Sequence, residues 1–205
     1  MKKFIISHCM NYIKKYTNYT NKELKEIEYG ITGIYLTLSK FIIISIISII
    51  LGIFKEMIIF TLIFNIIRMP AFGLHATKSW ICLISSAILF ILIPTLCIYL
   101  NINIYIKTLI SCLCIVFIYK NAPADTYKKP IVSKKRRLIY KTISTIVAII
   151  FAFIAILIKD KFISNCLIFA LILENCLISP IVYKLFKLPY NNYITYLKQH
   201  PDFVN

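Results

Sequence analysis

Acidic residues are scarce in this chain, and so are glycine and tryptophan. Eight Asp and Glu stand against 24 Lys and Arg, a formal net charge of +16, with four Gly and one Trp in 205 residues. The shortage of glycine accompanies an excess of Ile, Lys, Asn and Tyr that matches low-GC codon usage, which also accounts for part of the positive charge. Where the charges fall therefore says more than how many there are. The motif CxxC is absent, and the seven cysteines (Cys9, Cys82, Cys97, Cys112, Cys114, Cys166 and Cys176) are an odd number. Both facts exclude the disulfide framework of a small secreted domain. Most of these cysteines sit inside apolar runs, where Cys behaves as a small hydrophobe. Cys112-Leu-Cys114 is too weak a pattern to hold a metal, and neither metal nor cofactor is expected. A cleavable signal is not expected either. Lys2 and Lys3 are followed only by Phe4-Ile5-Ile6, with no small-residue cleavage site after them.

Hydrocarbon is what the chain has in abundance. Its residues are 60% hydrophobic, with a mean hydropathy of +0.80. Soluble domains are about half apolar, so a chain of this length cannot hide that much apolar surface from water. The expectation is a single integral membrane domain over residues 1–205, an all-α polytopic helix bundle governed by bilayer rules. No nucleic-acid partner is expected.

Residues 3–19 read as an amphipathic helix lying in the membrane interface, with Ile5, Cys9, Tyr12, Tyr16 and Tyr19 at 3–4 spacing. A solvated arm is the competing reading. Thr20-Asn-Lys-Glu23 matches a capping box and predicts a second helix running through Glu26 and Glu28 into the first apolar segment. Six apolar segments follow, at 31–54, 57–67, 80–100, 102–119, 138–158 and 162–183. Four are near the ~20 residues that cross hydrocarbon. Segment 102–119 is slightly short and carries Lys107. Segment 57–67 is clearly short, which leaves open a mismatched span, a re-entrant piece or half of a broken helix.

Charge placement orients the chain. The 120–137 loop holds Lys120, Lys128, Lys129, Lys134, Lys135, Arg136 and Arg137 against Asp125 alone, so the positive-inside rule makes it cytoplasmic. The arm over 1–30, with Lys2, Lys3, Lys14 and Lys15, belongs on the same side. The first four segments, 31–119, then form an even number of crossings. The link Arg68–Lys78 and the tail 184–205, after the last two segments in 138–183, are also cytoplasmic.

One polar break interrupts the hydrocarbon: Arg68-Met-Pro-Ala-Phe-Gly73-Leu-His75-Ala-Thr-Lys-Ser-Trp-Ile-Cys82. An imidazole near a thiol can deprotonate it, and the thiolate can attack a carbonyl. On an unbroken helix, seven residues separate His75 from Cys82 by about 10.5 Å along the axis, too far for contact. A working dyad needs His75 in a turn at Gly73 and Cys82 in the first turns of the next helix, after Ser79. There the macrodipole and the unbonded N–H groups would stabilise a thiolate. The bland alternative is a polar loop with an incidental His and a core Cys. His8 and His200 have less support.

A second cluster, Ala122-Pro123-Ala124-Asp125…Pro130 followed by the Lys/Arg run, gives the central loop a shape as well as a charge. The combination Arg68…Gly73-x-His75…Cys82 with Ala122-Pro123-Ala124-Asp125…Pro130 resembles the AgrB family, the membrane cysteine endopeptidases of accessory gene regulator quorum sensing. The resemblance covers nearly the whole chain. It implies a short AgrD-like propeptide as substrate, with an amphipathic leader, a Cys-containing core and an acidic C-terminal tail. It implies that Cys82 is the nucleophile and His75 its general base. An acyl-enzyme thioester then passes to the peptide's own Cys to close a thiolactone. Arg68 and Gly73 match positions the family needs for activity, Gly73 by permitting the turn and Arg68 by docking carboxylates. Many members carry a Gly pair before the His, where this chain has Phe72-Gly73. The resemblance also implies a homodimer, and membrane lipid is the expected surrounding.

A third member of the site is not evident. Glu174, an acid in the middle of an apolar segment, is a candidate, with pairing to Lys40 or Lys107 as the competing reading. Asp125 would serve only if the central loop folds back to His75. A peptide transporter without proteolysis and a non-enzymatic membrane scaffold are the competing functions.

Overall fold

The structure is a computed structural model and describes residues 2–17, 19–74, 79–126 and 130–199. Among these residues there are nine helices and no strand. They are α1 (Lys2–Tyr16), α2 (Asn21–Ile50), α3 (Phe54–Ala71), α4 (Ser79–Tyr99), α5 (Ile104–Asn121), α6 (Lys134–Leu157), α7 (Lys161–Ile178), α8 (Pro180–Leu185) and α9 (Asn192–Gln199). The all-α expectation holds. Five of the helices (α2, α4, α5, α6 and α7) are long and apolar enough to cross a membrane. The chain divides into two compact units, Met1–Gly52 and Ile53–Asn205.

In the first unit, the Thr20 hydroxyl accepts from Glu23 N while the Glu23 carboxylate accepts from Thr20 N, so both halves of the capping box form. A cap of this kind is worth about 1 kcal/mol. From it α2 runs unbroken through its charged first turns into the apolar segment.

The second unit is organised around α7, which packs on α3, α4, α5 and α6. Its candidate span is 56% buried, against at most 28% for the others. Small residues let its neighbours approach: Ser144, Ala148, Ala152 and Ala155 form a buried stripe at helical spacing on α6. Polar side chains of α7 satisfy groups that lipid cannot. Asn165 Nδ2 donates to the carbonyls of Cys97 (3.0 Å) and Leu100 (2.9 Å) at the end of α4. Lys107 Nζ donates to Ser164 Oγ at 2.6 Å, which in turn donates to Ala155 O.

Several boundaries differ from the sequence expectation: the helix read over 3–19 ends at Tyr16, leaving Tyr19 in the link, and the segment 31–54 ends at Ile50, with Phe54 already in α3. The short apolar run 57–67 lies within the eighteen-residue α3, which is about 27 Å long. The helix continues through Lys55 and Glu56 at one end and Arg68 at the other, charges that hide its length from a hydropathy reading. The segment 162–183 is broken at Ser179, because Pro180 has no N–H to continue α7 and instead starts α8. The basic run Lys134–Arg137 is the first turn of α6, capped by Ser133, rather than loop. Four cations there oppose the helix macrodipole, so their placement does not serve helix stability.

Candidate active site

The site is built from the end of α3. Pro70 contributes no N–H, and the helix stops at Ala71. Two successive left-handed residues then turn the chain, Phe72 at φ 61° and Gly73 at φ 105°. The turn expected at Gly73 is therefore present.

Three backbone groups around this turn, Ala71 O, Gly73 N and Leu74 N, have partners from distant segments. Gly73 N donates to Ala124 O (2.8 Å), and Ala124 N donates to Ala71 O (3.0 Å). These bonds make a parallel bridge between Phe72 and Ala124, so the central loop does fold back onto the turn. Leu74 N donates to Leu177 O (2.9 Å), a carbonyl at the end of α7.

Arg68 fastens the turn from inside. Its Nη1 donates to Phe72 O and its Nη2 to Leu74 O at 2.7 Å. Nη1 also pairs with Glu174 Oε1 at 3.3 Å; the two side chains are 14% and 0% exposed. The cation that meets Glu174 is thus Arg68, while Lys107 is engaged with Ser164. The guanidinium is directed at the protein's own acid and two carbonyls, which makes Arg68 a clamp on the turn. Glu174 Oε2 has no hydrogen-bond partner among the described residues.

Gly73 is required by space as well as by dihedral. A Cβ there would lie 2.8 Å from Leu177 O and would overlap Arg68 Nη1. Gly73→Ala should destabilise the protein by about 2 kcal/mol through strain and displacement of the clamp. Thermal unfolding followed by the fluorescence of Trp80 checks this, and an unshifted transition would contradict it. At Phe72 the left-handed φ favours glycine. Here the ring packs edge-on against Tyr140, with centroids 4.9 Å apart, offsetting part of the backbone cost.

Asp125 is buried, 3% exposed, and is used structurally. Its carboxylate accepts from Asn192 N (2.9 Å) and Tyr193 N (2.7 Å), capping α9, and from Ile131 N (3.4 Å). Tyr183 Oη donates to its backbone carbonyl at 3.2 Å. Burial raises the Tyr183 phenol well above its ordinary range, with Arg68 opposing and Asp125 adding to the shift. The phenol therefore stays neutral and keeps donating at any physiological pH. Arg137 stacks over the Tyr193 ring at 3.5 Å, adding a cation–π contact to the same junction. The tail, expected only as a polar extension, is in this way tied to the central loop.

Cys82 is half-buried in the first turn of α4, and Ser85 Oγ bonds its carbonyl at 3.3 Å. His75 lies outside the described residues, as does His200. Of the sequence-predicted residues, the structure brings together Arg68, Gly73 and Glu174, with Asp125 one residue from the bridge that holds them. Ala124 stood in the second cluster without a role, and Leu177 and the Asp125 partners Asn192 and Tyr193 were missed. Local spacing carries no trace of them, whereas the Arg68–Glu174 pair was open to inference from two ionisable groups in apolar surroundings. Among the described residues, no three His, Cys, Asp or Glu are grouped to hold a metal ion.

The family model described as Accessory gene regulator B matches residues 6–179. An AgrB-like protein of Clostridium acetobutylicum is 30% identical over 181 residues, covering 88% of this chain and 87% of that protein. The accessory gene regulator protein B of Staphylococcus aureus strain Newman is 31% identical over 180 residues, 87% of this chain and 93% of the relative. Its counterpart in strain MRSA252 is 32% identical over 152 residues, 73% and 81%. No solved structure matches the chain.

Proposed function

The chain belongs to the accessory gene regulator B family, a multi-pass membrane family of agr quorum sensing, and from that premise we propose that it is a cysteine endopeptidase that also cyclises its product. The substrate is an AgrD-like propeptide with an acidic C-terminal tail. The whole chain, 1–205, acts as one integral membrane domain, with both termini and the site at the cytoplasmic face.

The observation that supports this reading most is the clamped turn. Two carbonyls of the Phe72–Leu74 turn, directly before His75 in the chain, accept from Arg68, which is itself paired with the buried Glu174. Such fixed geometry is what a base needs if it is to meet a thiol on the following helix. In the reaction, His75 takes the Cys82 proton as Sγ attacks the carbonyl of the scissile amide. The tetrahedral adduct collapses, the C–N bond breaks and His75 gives its proton to the leaving amine of the acidic tail. The core, still joined to its leader, remains as a thioester on Cys82. The thiol of the peptide's own Cys then attacks that carbonyl, and its proton restores the Cys82 thiol. One thioester replaces another, so little free energy is lost in closing the ring. Arg68 and Glu174 act as positioning residues.

The basic central loop and arm give the cytoplasmic face a charge that attracts an acidic tail. Excluding water protects the acyl-enzyme from hydrolysis.

The test is product analysis by mass spectrometry after the purified protein, reconstituted in vesicles, meets a synthetic propeptide. The expected products are the free tail and a leader–core peptide lighter by one water than its linear form. Intact propeptide, with or without transport across the vesicle, would overturn the reading.

A further inference from the structure

Within the first unit, α1 turns back along the opening turns of α2 after a four-residue link. Ile6 and Met10 are buried, 7% and 6% exposed, where α1 packs on α2. A groove of about 840 Å³ lies between the two helices, within the ~300–1,000 Å³ range of sites that hold small ligands. Lys3 and Lys14 line it from α1 and Lys25 from α2; Glu28 is the one acid among its lining residues. Ser7 and Asn11 add neutral hydrogen-bonding groups. Three cations against one anion make the groove complementary to an anion.

The opposite side of α1 has a different character. Phe4, Tyr12 and Tyr16 are 75%, 65% and 63% exposed, and their spacing sets them along one side of the helix, turned away from Ile6 and Met10. Exposed aromatic rings with lysines among and beside them, Lys15 over the Tyr16 ring included, suit a helix seated at the membrane–water boundary. The partner helix changes character at the same level. The charged stretch of α2 ends at Glu28, and its apolar run begins at Ile31. The groove reaches Thr32, just inside the apolar run of α2.

We infer that this groove binds the headgroup of an anionic phospholipid. The charge of Lys3, Lys14 and Lys25 along the groove attracts the phosphate, and the acyl chains run beside the apolar part of α2. The exposed aromatic side and the adjoining apolar run favour lipid over a soluble acidic peptide, which would use the charge alone. The site is built from the first unit and does not depend on the peptidase reading.

Full-length protein in phosphatidylcholine nanodiscs with increasing phosphatidylglycerol, followed by native mass spectrometry, reads the lipid retained. The wild type should keep phosphatidylglycerol in preference to phosphatidylcholine. Each lysine near an anionic surface is worth about fivefold in affinity, so Lys3→Gln/Lys14→Gln/Lys25→Gln should weaken retention by at least about tenfold. Glu28→Gln, which leaves the lysines in place, should strengthen it. Equal retention by the wild type and the triple variant would overturn the assignment, as would weaker retention by Glu28→Gln. Displacement of the lipid by an equal concentration of a soluble acidic peptide would overturn it in favour of a peptide.

Discussion

Cys82→Ser should abolish cleavage of a co-expressed propeptide, with a loss on the order of 10⁴-fold or more, while leaving the protein inserted in the membrane. The physical reason is the difference between thiol and hydroxyl. A thiol near neutral pH is partly thiolate and needs only a modest base, whereas a serine hydroxyl needs a full proton transfer as it attacks. The second step suffers as well, because an ester in place of the thioester resists displacement by the peptide's thiol. The swap of S for O is small, and Cys82 is a half-buried residue at the start of α4 rather than part of the core around α7. His75→Ala should fall with it, since the two residues act as one unit. Immunoblotting of the propeptide alongside membrane fractionation separates loss of chemistry from loss of protein. Normal cleavage by Cys82→Ser would end the protease assignment, and export of processed peptide by both variants would favour a transporter.

The second large effect is expected at the clamp. Arg68→Met leaves Glu174 buried without its cation, and breaking a buried pair from one side costs about 3 kcal/mol. It also removes the donors to Phe72 O and Leu74 O, so the turn before His75 loses its fixed shape. Both stability and cleavage should collapse. The informative comparison is the double variant Arg68→Met/Glu174→Leu. Replacing both members of a buried pair by apolar groups is often close to neutral for stability. The double variant should therefore regain much of its thermal stability and little of its activity. If activity returns with stability, the clamp only supports the fold and does not position the site.

These expectations also mark what could be read from the chain. The membrane helices were legible because apolar runs of bilayer length have few other meanings, and Thr20 and Glu23 announced the start of α2 by a local pattern of hydrogen bonds. Gly73 was legible as a turn for the same local reason. The end of α3 was obscured because Lys55, Glu56 and Arg68 are helical residues that an apolar count leaves out. The clamp was harder still. Arg68 and Glu174 are 106 positions apart, and only their shared burial relates them. The bridge from Phe72 to Ala124 is a backbone pairing, in which side-chain identity plays little part, and the Asp125 carboxylate caps α9 across 67 positions that no local pattern connects. Phe72 was visible as a departure from the Gly pair of related chains. Its left-handed φ shows what that departure costs, and the contact with Tyr140 shows how this chain carries it.

The central claim is that the core of the peptide passes through a thioester on Cys82. A propeptide whose core Cys is replaced by Ala can be cleaved but cannot close its ring, so the acyl-enzyme should accumulate. Intact-mass spectrometry of the protein after mixing should show one added leader–core peptide. Fragmentation should map it to Cys82, and hydroxylamine should remove it. Release of the acidic tail with no adduct, or with an adduct on any residue other than Cys82, would contradict the account.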